Sequence, residues 1–229
     1  MSATPTRPGE VVAETALRRP LVDLSSPSAE PFRSLRLALG MRREDRASEV
    51  ILFTSAEPGE GKSTIAANYA RVCSMSMKSV ALIDADMRQP NLHEVFGISR
   101  TPGLVDVCLD EIAADEAIIP VRGFGQLAVL PAGSSFARTA DIASSPRMAR
   151  VLEEVQASYD TIVVDTPPLL SAADAGALST LPDVDVVLVV DKAAKRRTVL
   201  NAVRKLELIS ANVIGVVLNH QGRLSTYGY

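Results

Sequence analysis

Residues 55–64 read Ser55-Ala56-Glu57-Pro58-Gly59-Glu60-Gly61-Lys62-Ser63-Thr64, with an apolar, β-branched run at 50–53 just before them and a helical pattern over 63–75 just after. A strand that turns through two glycines straight into a helix leaves few folds open to the chain. Gly59 and Gly61 let the backbone curl so that successive N–H groups point inward at an anion, where a β-carbon would intrude. The helix start behind them adds its own free amides. Lys62 then reaches the β- and γ-phosphates of a nucleotide, and the Ser63 hydroxyl is a hard oxygen ligand suited to Mg²⁺. Glu57, Pro58, Gly59, Glu60, Gly61, Lys62, Ser63 and Thr64 form the candidate phosphate-binding loop, with Ala56 standing where the strict GxxxxGK[ST] pattern has its first glycine.

The remainder of the chain fits that loop. Further β-rich apolar runs at 80–83, 127–130, 161–164, 186–190 and 213–218 alternate with helical patterns that include 148–157 and 198–209. Strands that are apolar throughout, rather than at every second residue, are buried on both faces, which predicts a mostly parallel sheet with helices on either side. The expected fold is a single α/β domain of the P-loop NTPase type, within the reach of a 229-residue chain. Residues 1–25 carry Pro5, Pro8 and Pro20 without apolar periodicity and read as a weakly packed, flexible arm. Ser26 followed by Pro27 signals a helix start, since the hydroxyl can cap free amides and proline at the first position loses no hydrogen bond. That helix is expected over 26–43.

Composition narrows the function. A net charge of −3 gives no global attraction to nucleic acid. Cys73 and Cys108 form no CxxC pair, so neither a zinc site nor a thiol-redox motif is indicated, and a reducing, cytoplasmic location follows. The longest wholly apolar run, 186–190, is far short of the roughly 20 residues that cross a bilayer.

Two acidic motifs turn a nucleotide site into a hydrolysis or transfer site. Ala81-Leu82-Ile83-Asp84-Ala85-Asp86-Met87-Arg88 puts two carboxylates at the carboxyl end of a buried strand, where open α/β sheets bind ligands. Ile162-Val163-Val164-Asp165-Thr166-Pro167-Pro168 ends a second strand in a carboxylate, the Walker-B arrangement. Ser63, Asp84 and Asp165 are the candidate metal ligands, and Lys62, Asp84, Asp86 and Asp165 the candidate catalytic set. Either Asp84 or Asp86 is placed to serve as general base.

The phosphate loop, the DxDxR strand end and the hydrophobic-DTPP strand end, in that order and spacing, resemble the bacterial tyrosine kinases of capsule and exopolysaccharide synthesis. These belong to the deviant-Walker ATPase group. The partition and positioning ATPases of that group have a lysine five residues before the loop lysine, where this chain has Glu57. Glu30-Pro31-Phe32-Arg33-Ser34-Leu35-Arg36 matches the kinases' ExxRxxR motif, which implies that Glu30, Arg33 and Arg36 mediate contact between protomers in a ring. Two of the four tyrosines, Tyr227 and Tyr229, lie in the last three residues. By resemblance they are autophosphorylation targets inserted into a neighbour's site. Asn219 corresponds to the position that contacts the nucleotide base in this group, and also reads as a turn former.

The resemblance covers nearly the whole chain and implies a kinase domain over 26–222 followed by a tail over 223–229. It further implies ATP with Mg²⁺ as cofactor, a transmembrane polysaccharide co-polymerase as activating partner, recruitment to the inner face of the plasma membrane, and exogenous protein substrates. A positioning-type ATPase switch and a non-catalytic nucleotide-dependent scaffold are the rival readings. One charged cluster stays unassigned. Lys192, Lys195, Arg196 and Arg197 suit phosphate, an acidic lipid surface or an acidic tail, or simply a solvated helix start.

Overall fold

The computed structural model describes residues 21–40 and 49–220. A 3₁₀ turn, Pro27–Ala29, leads into α1 (Glu30–Gly40), followed by β1 (Glu49–Ser55), α2 (Lys62–Ser74) and β2 (Val80–Asp84). Three short helices come next, α3 (Leu92–Phe96), α4 (Leu104–Cys108) and α5 (Ala114–Ala117), then β3 (Ile119–Pro120) and β4 (Leu127–Leu130). The chain ends its described course through α6 (Thr139–Ala143), α7 (Pro146–Gln156), β5 (Thr161–Asp165), α8 (Ala173–Leu178), β6 (Val184–Asp191), α9 (Arg196–Leu208) and β7 (Val213–Asn219).

The strands form one seven-stranded sheet in the order β3-β4-β2-β5-β1-β6-β7, parallel except for the β3–β4 pair. All six runs expected from sequence are in it, and β3 is added at the edge. Alternate residues of the central strands feed two separate cores, which is why the strands are apolar throughout. Val50 and Leu52 of β1 join Leu104, Met148, Val151, Leu178 and Ala202 on one face. Ile51 and Phe53 join Leu39, Ile65, Tyr69, Leu92 and Phe96 on the other, with the Phe53 and Tyr69 ring centroids 5.4 Å apart.

The topology fixes where a ligand can sit. From β1 the chain passes over β5 to reach β2, and from β5 it later passes back over β1 to reach β6. The direction of winding therefore reverses about β1, and a crevice opens at the carboxyl ends of β1, β2 and β5. The loops after those three strands carry the phosphate loop and both acidic motifs.

At the amino end, Ser26 caps as expected, its hydroxyl accepting from Ser28 N. The described end of the expected arm makes contacts to α2. Val22 N donates to Asn68 Oδ1 at 2.8 Å and Arg71 donates to Val22 O at 2.6 Å, so Val22 is fastened to α2 by the buried Asn68 amide, which needs a partner, and by the half-buried Arg71. Residues 1–20 of the expected arm and residues 41–43 of the expected first helix lie outside the described residues. Cys73 and Cys108 are free and buried, and burial pushes both thiols up to about 12.

Candidate active site

The loop between β1 and α2 adopts the conformation its glycines allow. Gly59 has φ +86° and Gly61 φ +90°, left-handed values that L side chains rarely adopt. A β-carbon on Gly61 would stand 2.1 Å from Asn219 Nδ2, whereas one on Gly59 would meet open space. Asn219 thus lies against the loop, donating to Glu60 O at 3.0 Å. The Glu60 carboxylate turns inward, accepting from Glu57 N at 2.8 Å and from Asp191 N at 3.4 Å. Glu60 therefore braces the loop, a structural duty its sequence position did not announce. Glu57 is exposed at the loop's outer edge.

Lys62 is the centre of the site. Its Nζ donates to Asp86 Oδ2 at 2.9 Å and to Ser63 Oγ at 3.2 Å, and lies 3.7 Å from Asp165 Oδ1. Burial works against its charge, but Asp165 and Asp86 outweigh that, so the ammonium is held above its ordinary range. Both Asp165 oxygens are buried without a hydrogen-bond partner. Burial first, and Asp86 after it, push the Asp165 carboxyl up, with Lys62 opposing.

Asp84 is placed differently from its motif partner. It is fully buried, its Oδ2 accepts from Asn91 N at 3.1 Å and Leu92 N at 3.0 Å, and its Oδ1 accepts from Asp86 N at 3.3 Å. Burial and then Asp165 raise its pKa. Asp84 therefore shapes the loop after β2, while Asp86 faces the opening. The cavity, about 290 Å³, is lined by residues of the phosphate loop together with Asp86, Gln89, Asn91, Pro168 and His220. Asn91 Nδ2 donates to Ser63 Oγ at 3.3 Å. Gln89, Asn91 and His220 were not singled out from the sequence, because each becomes part of the site only through the curl of a loop.

Further hydrogen bonds weld the loop after β5 to β1. Thr166 Oγ1 donates to Phe53 O at 3.0 Å, and Leu169 N to Ser55 O at 2.7 Å. Arg88, last residue of the DxDxR motif, donates through Nε and Nη2 to both oxygens of Asp174, each at 3.0 Å, and Thr139 Oγ1 donates to Asp174 Oδ2 at 2.6 Å.

The donor set suits Mg²⁺. Two orphaned carboxylate oxygens on Asp165 and a hydroxyl on Ser63 are hard oxygen ligands. Among the described residues no group of three or more His, Cys, Asp or Glu is assembled to hold a metal alone. Mg²⁺ is commonly held by one or two protein oxygens plus substrate phosphates.

A family model described as an AAA domain matches residues 48–213. The tyrosine-protein kinase YwqD of Bacillus subtilis is 32% identical over 93% of this chain and 92% of its own length. The chain belongs to the bacterial tyrosine-protein kinases. The succinoglycan biosynthesis transport protein ExoP of Rhizobium meliloti is 36% identical over 89% of this chain, and the match spans 26% of ExoP. In fold, the kinase domain of Escherichia coli tyrosine kinase ETK superposes with a TM-score of 0.84 over 95% of this chain and 86% of that one, at 24% identity.

The described tyrosines lie away from the cavity. Tyr69 is buried in the core on the α2 side of the sheet and Tyr159 is half-buried against the core on the opposite face, with burial raising both hydroxyls. Tyr227 and Tyr229 lie outside the described residues. On α1, Arg33 pairs with Glu30 at 3.1 Å, whereas Arg36 turns back to Ser76 Oγ, also at 3.1 Å. No helix among the described residues is long and apolar enough to cross a membrane.

Proposed function

We propose that this chain is an ATP-dependent protein-tyrosine autokinase that phosphorylates Tyr227 and Tyr229 on a neighbouring copy, and that this phosphorylation regulates polymerisation and export of an exopolysaccharide. The observation that carries the reading is the convergence of Lys62 on Asp86 and Asp165 at the mouth of the phosphate loop. The kinase family of the chain, and the absence of an accessible acceptor at Tyr69, support it further.

The loop amides behind Gly59 and Gly61 hold the β- and γ-phosphates of ATP, and Lys62 exchanges its contact with Asp86 for the γ-phosphate. Mg²⁺ on Ser63 and Asp165 would supply positive charge opposite the phosphate oxygens as charge builds on them. Released from Lys62, Asp86 faces the opening as the general base. A tyrosine hydroxyl has a pKa near 10 and is protonated at neutral pH, so Asp86 accepts its proton as the phenolic oxygen bonds to phosphorus. The bond from phosphorus to the leaving ADP oxygen breaks in the same displacement. Because little covalent chemistry falls to the protein, positioning and charge dominate.

By the same reading, Glu30, Arg33 and Arg36 form the contact between protomers in a ring, and Asn219 meets the base. The chain works in the cytoplasm, brought to the membrane by a transmembrane co-polymerase that also activates it, and acts on other protein substrates besides itself. Intact-mass spectrometry after phosphatase treatment and then ATP·Mg²⁺, with and without residues 225–229, tests the central step. Added phosphate on the full chain alone is the expected result. Equal phosphate on both chains would refute the tail as acceptor.

A further inference from the structure

Four cations remain outside the site just described. Lys192, Lys195, Arg196 and Arg197 follow β6 and open α9, all four exposed. None makes an ion pair or side-chain hydrogen bond among the described residues. The one acid between strand and cluster, Asp191, is already engaged, its Oδ1 accepting from Ala193 N and its Oδ2 meeting His220 Nδ1, each at 2.6 Å. Four like charges within six residues, beside a single carboxylate whose oxygens are already engaged, leave an excess of positive charge suited to a multiply charged anion.

The position of the cluster says which anion. Lys192 N donates to Asn219 O at 3.1 Å, so the cluster begins beside the last residue of β7. One residue later, at His220, the described chain gives way to Gln221-Gly222-Arg223-Leu224-Ser225-Thr226-Tyr227-Gly228-Tyr229. Seven residues of chain from His220 to Tyr227 span at most about 25 Å. The cluster is well within that reach. Unmodified, the segment holds no acidic side chain and one cation, Arg223, so its side chains bring no negative charge to the cluster. Each phosphotyrosine would bring about −1.5 to −2 charges and three acceptor oxygens.

We propose that Lys192, Lys195, Arg196 and Arg197 form a docking site for the phosphorylated tail of the same chain. Docking there withdraws the product from any neighbour's active site and ties tail phosphorylation to the α9 face of its own protomer. The source of the phosphate rests on the autokinase reading, but the docking itself does not, and a synthetic phosphopeptide separates the two.

The test is fluorescence anisotropy of a labelled peptide of residues 221–229, phosphorylated on both tyrosines or on neither, titrated with the phosphatase-treated full chain. A tethered tail experiences an effective concentration in the millimolar range, so binding in trans must saturate below about 1 mM to matter. The phosphopeptide is expected to bind at least tenfold more tightly than the plain peptide and to weaken with salt. It should lose that advantage in the Lys192→Ala, Lys195→Glu, Arg196→Glu, Arg197→Ala variant while keeping it in Lys62→Met. Equal binding of the two peptides, no saturation by 1 mM, or loss in Lys62→Met but not in the cluster variant would overturn the proposal. Sedimentation with phosphatidylglycerol vesicles is the parallel arm. If the cluster variant loses vesicle binding while its phosphopeptide affinity is unchanged, the patch faces a membrane and the proposal fails.

Discussion

Arg88 holds Asp174 with two parallel hydrogen bonds of 3.0 Å across 86 residues of chain, joining the loop that bears Asp86 to the first turn of α8. Asp174 is fully buried and also accepts from Thr139. Replacing it with Ala strands both donors. Charge-assisted hydrogen bonds are worth about 1.5–3 kcal/mol, and the half-exposed Arg88 side is screened, so a loss of about 2 kcal/mol is expected. Urea denaturation checks it. Phosphoryl transfer should fall as well, because Asp86 lies two residues from the released Arg88.

The same pair sets an acid limit. Burial pushes the Asp174 carboxyl up, but the hydrogen bonds from Arg88 and Thr139 outweigh that and hold it below the ordinary carboxylate value of 3.8. A carboxyl depressed in the folded state contributes stability that is complete above its unfolded pKa and is lost as pH falls through the folded one. The wild-type chain should therefore lose stability more steeply than Asp174→Asn below about pH 4. Parallel acid profiles by circular dichroism would contradict the clamp.

Six strands were legible because burial on both faces writes a continuous apolar run, and the phosphate loop because its glycines and lysine are chemically specific. β3 was not legible, being two residues long and including Pro120. The helices of four to six residues, α3 to α6 and α8, are too short to display a helical period. Asp174 sits in a bland Ser171-Ala172-Ala173-Asp174 stretch, and its partner is fixed only by the sheet order. The motif spacing could not separate Asp84 from Asp86. Only the curl of the following loop, with Asn91 and Leu92 amides on Asp84, distinguishes a buried organiser from a carboxylate facing the opening.

The two loop glycines should respond differently to alanine. Both have positive φ, so each substitution carries about 1–2 kcal/mol of backbone strain. At Gly61 the new methyl also displaces the Asn219 amide from Glu60 O, adding about 1 kcal/mol. Gly61→Ala should accordingly be the less stable in urea and the weaker ATP binder by titration calorimetry.

Lys62→Met should reduce phosphoryl transfer by at least about 100-fold, since it removes a preorganised charge from the transferring group. The fold should persist, because Asp165, already raised by burial, takes up a proton when its counter-charge is lost. Far-ultraviolet circular dichroism and radiolabel transfer read the two effects separately.

Transfer between copies is tested most directly by mixing two variants that are each silent alone. Lys62→Met retains both tail tyrosines but lacks the phosphate-loop charge, and the Tyr227→Phe, Tyr229→Phe double variant retains that charge but lacks the acceptors. Intact-mass spectrometry after ATP·Mg²⁺ should show phosphate on the Lys62→Met chain only when the other variant is present, located to Tyr227 or Tyr229. Phosphate on the double variant, or none on Lys62→Met in a mixture where the wild-type chain labels itself, would contradict a tyrosine kinase acting on its neighbour's tail.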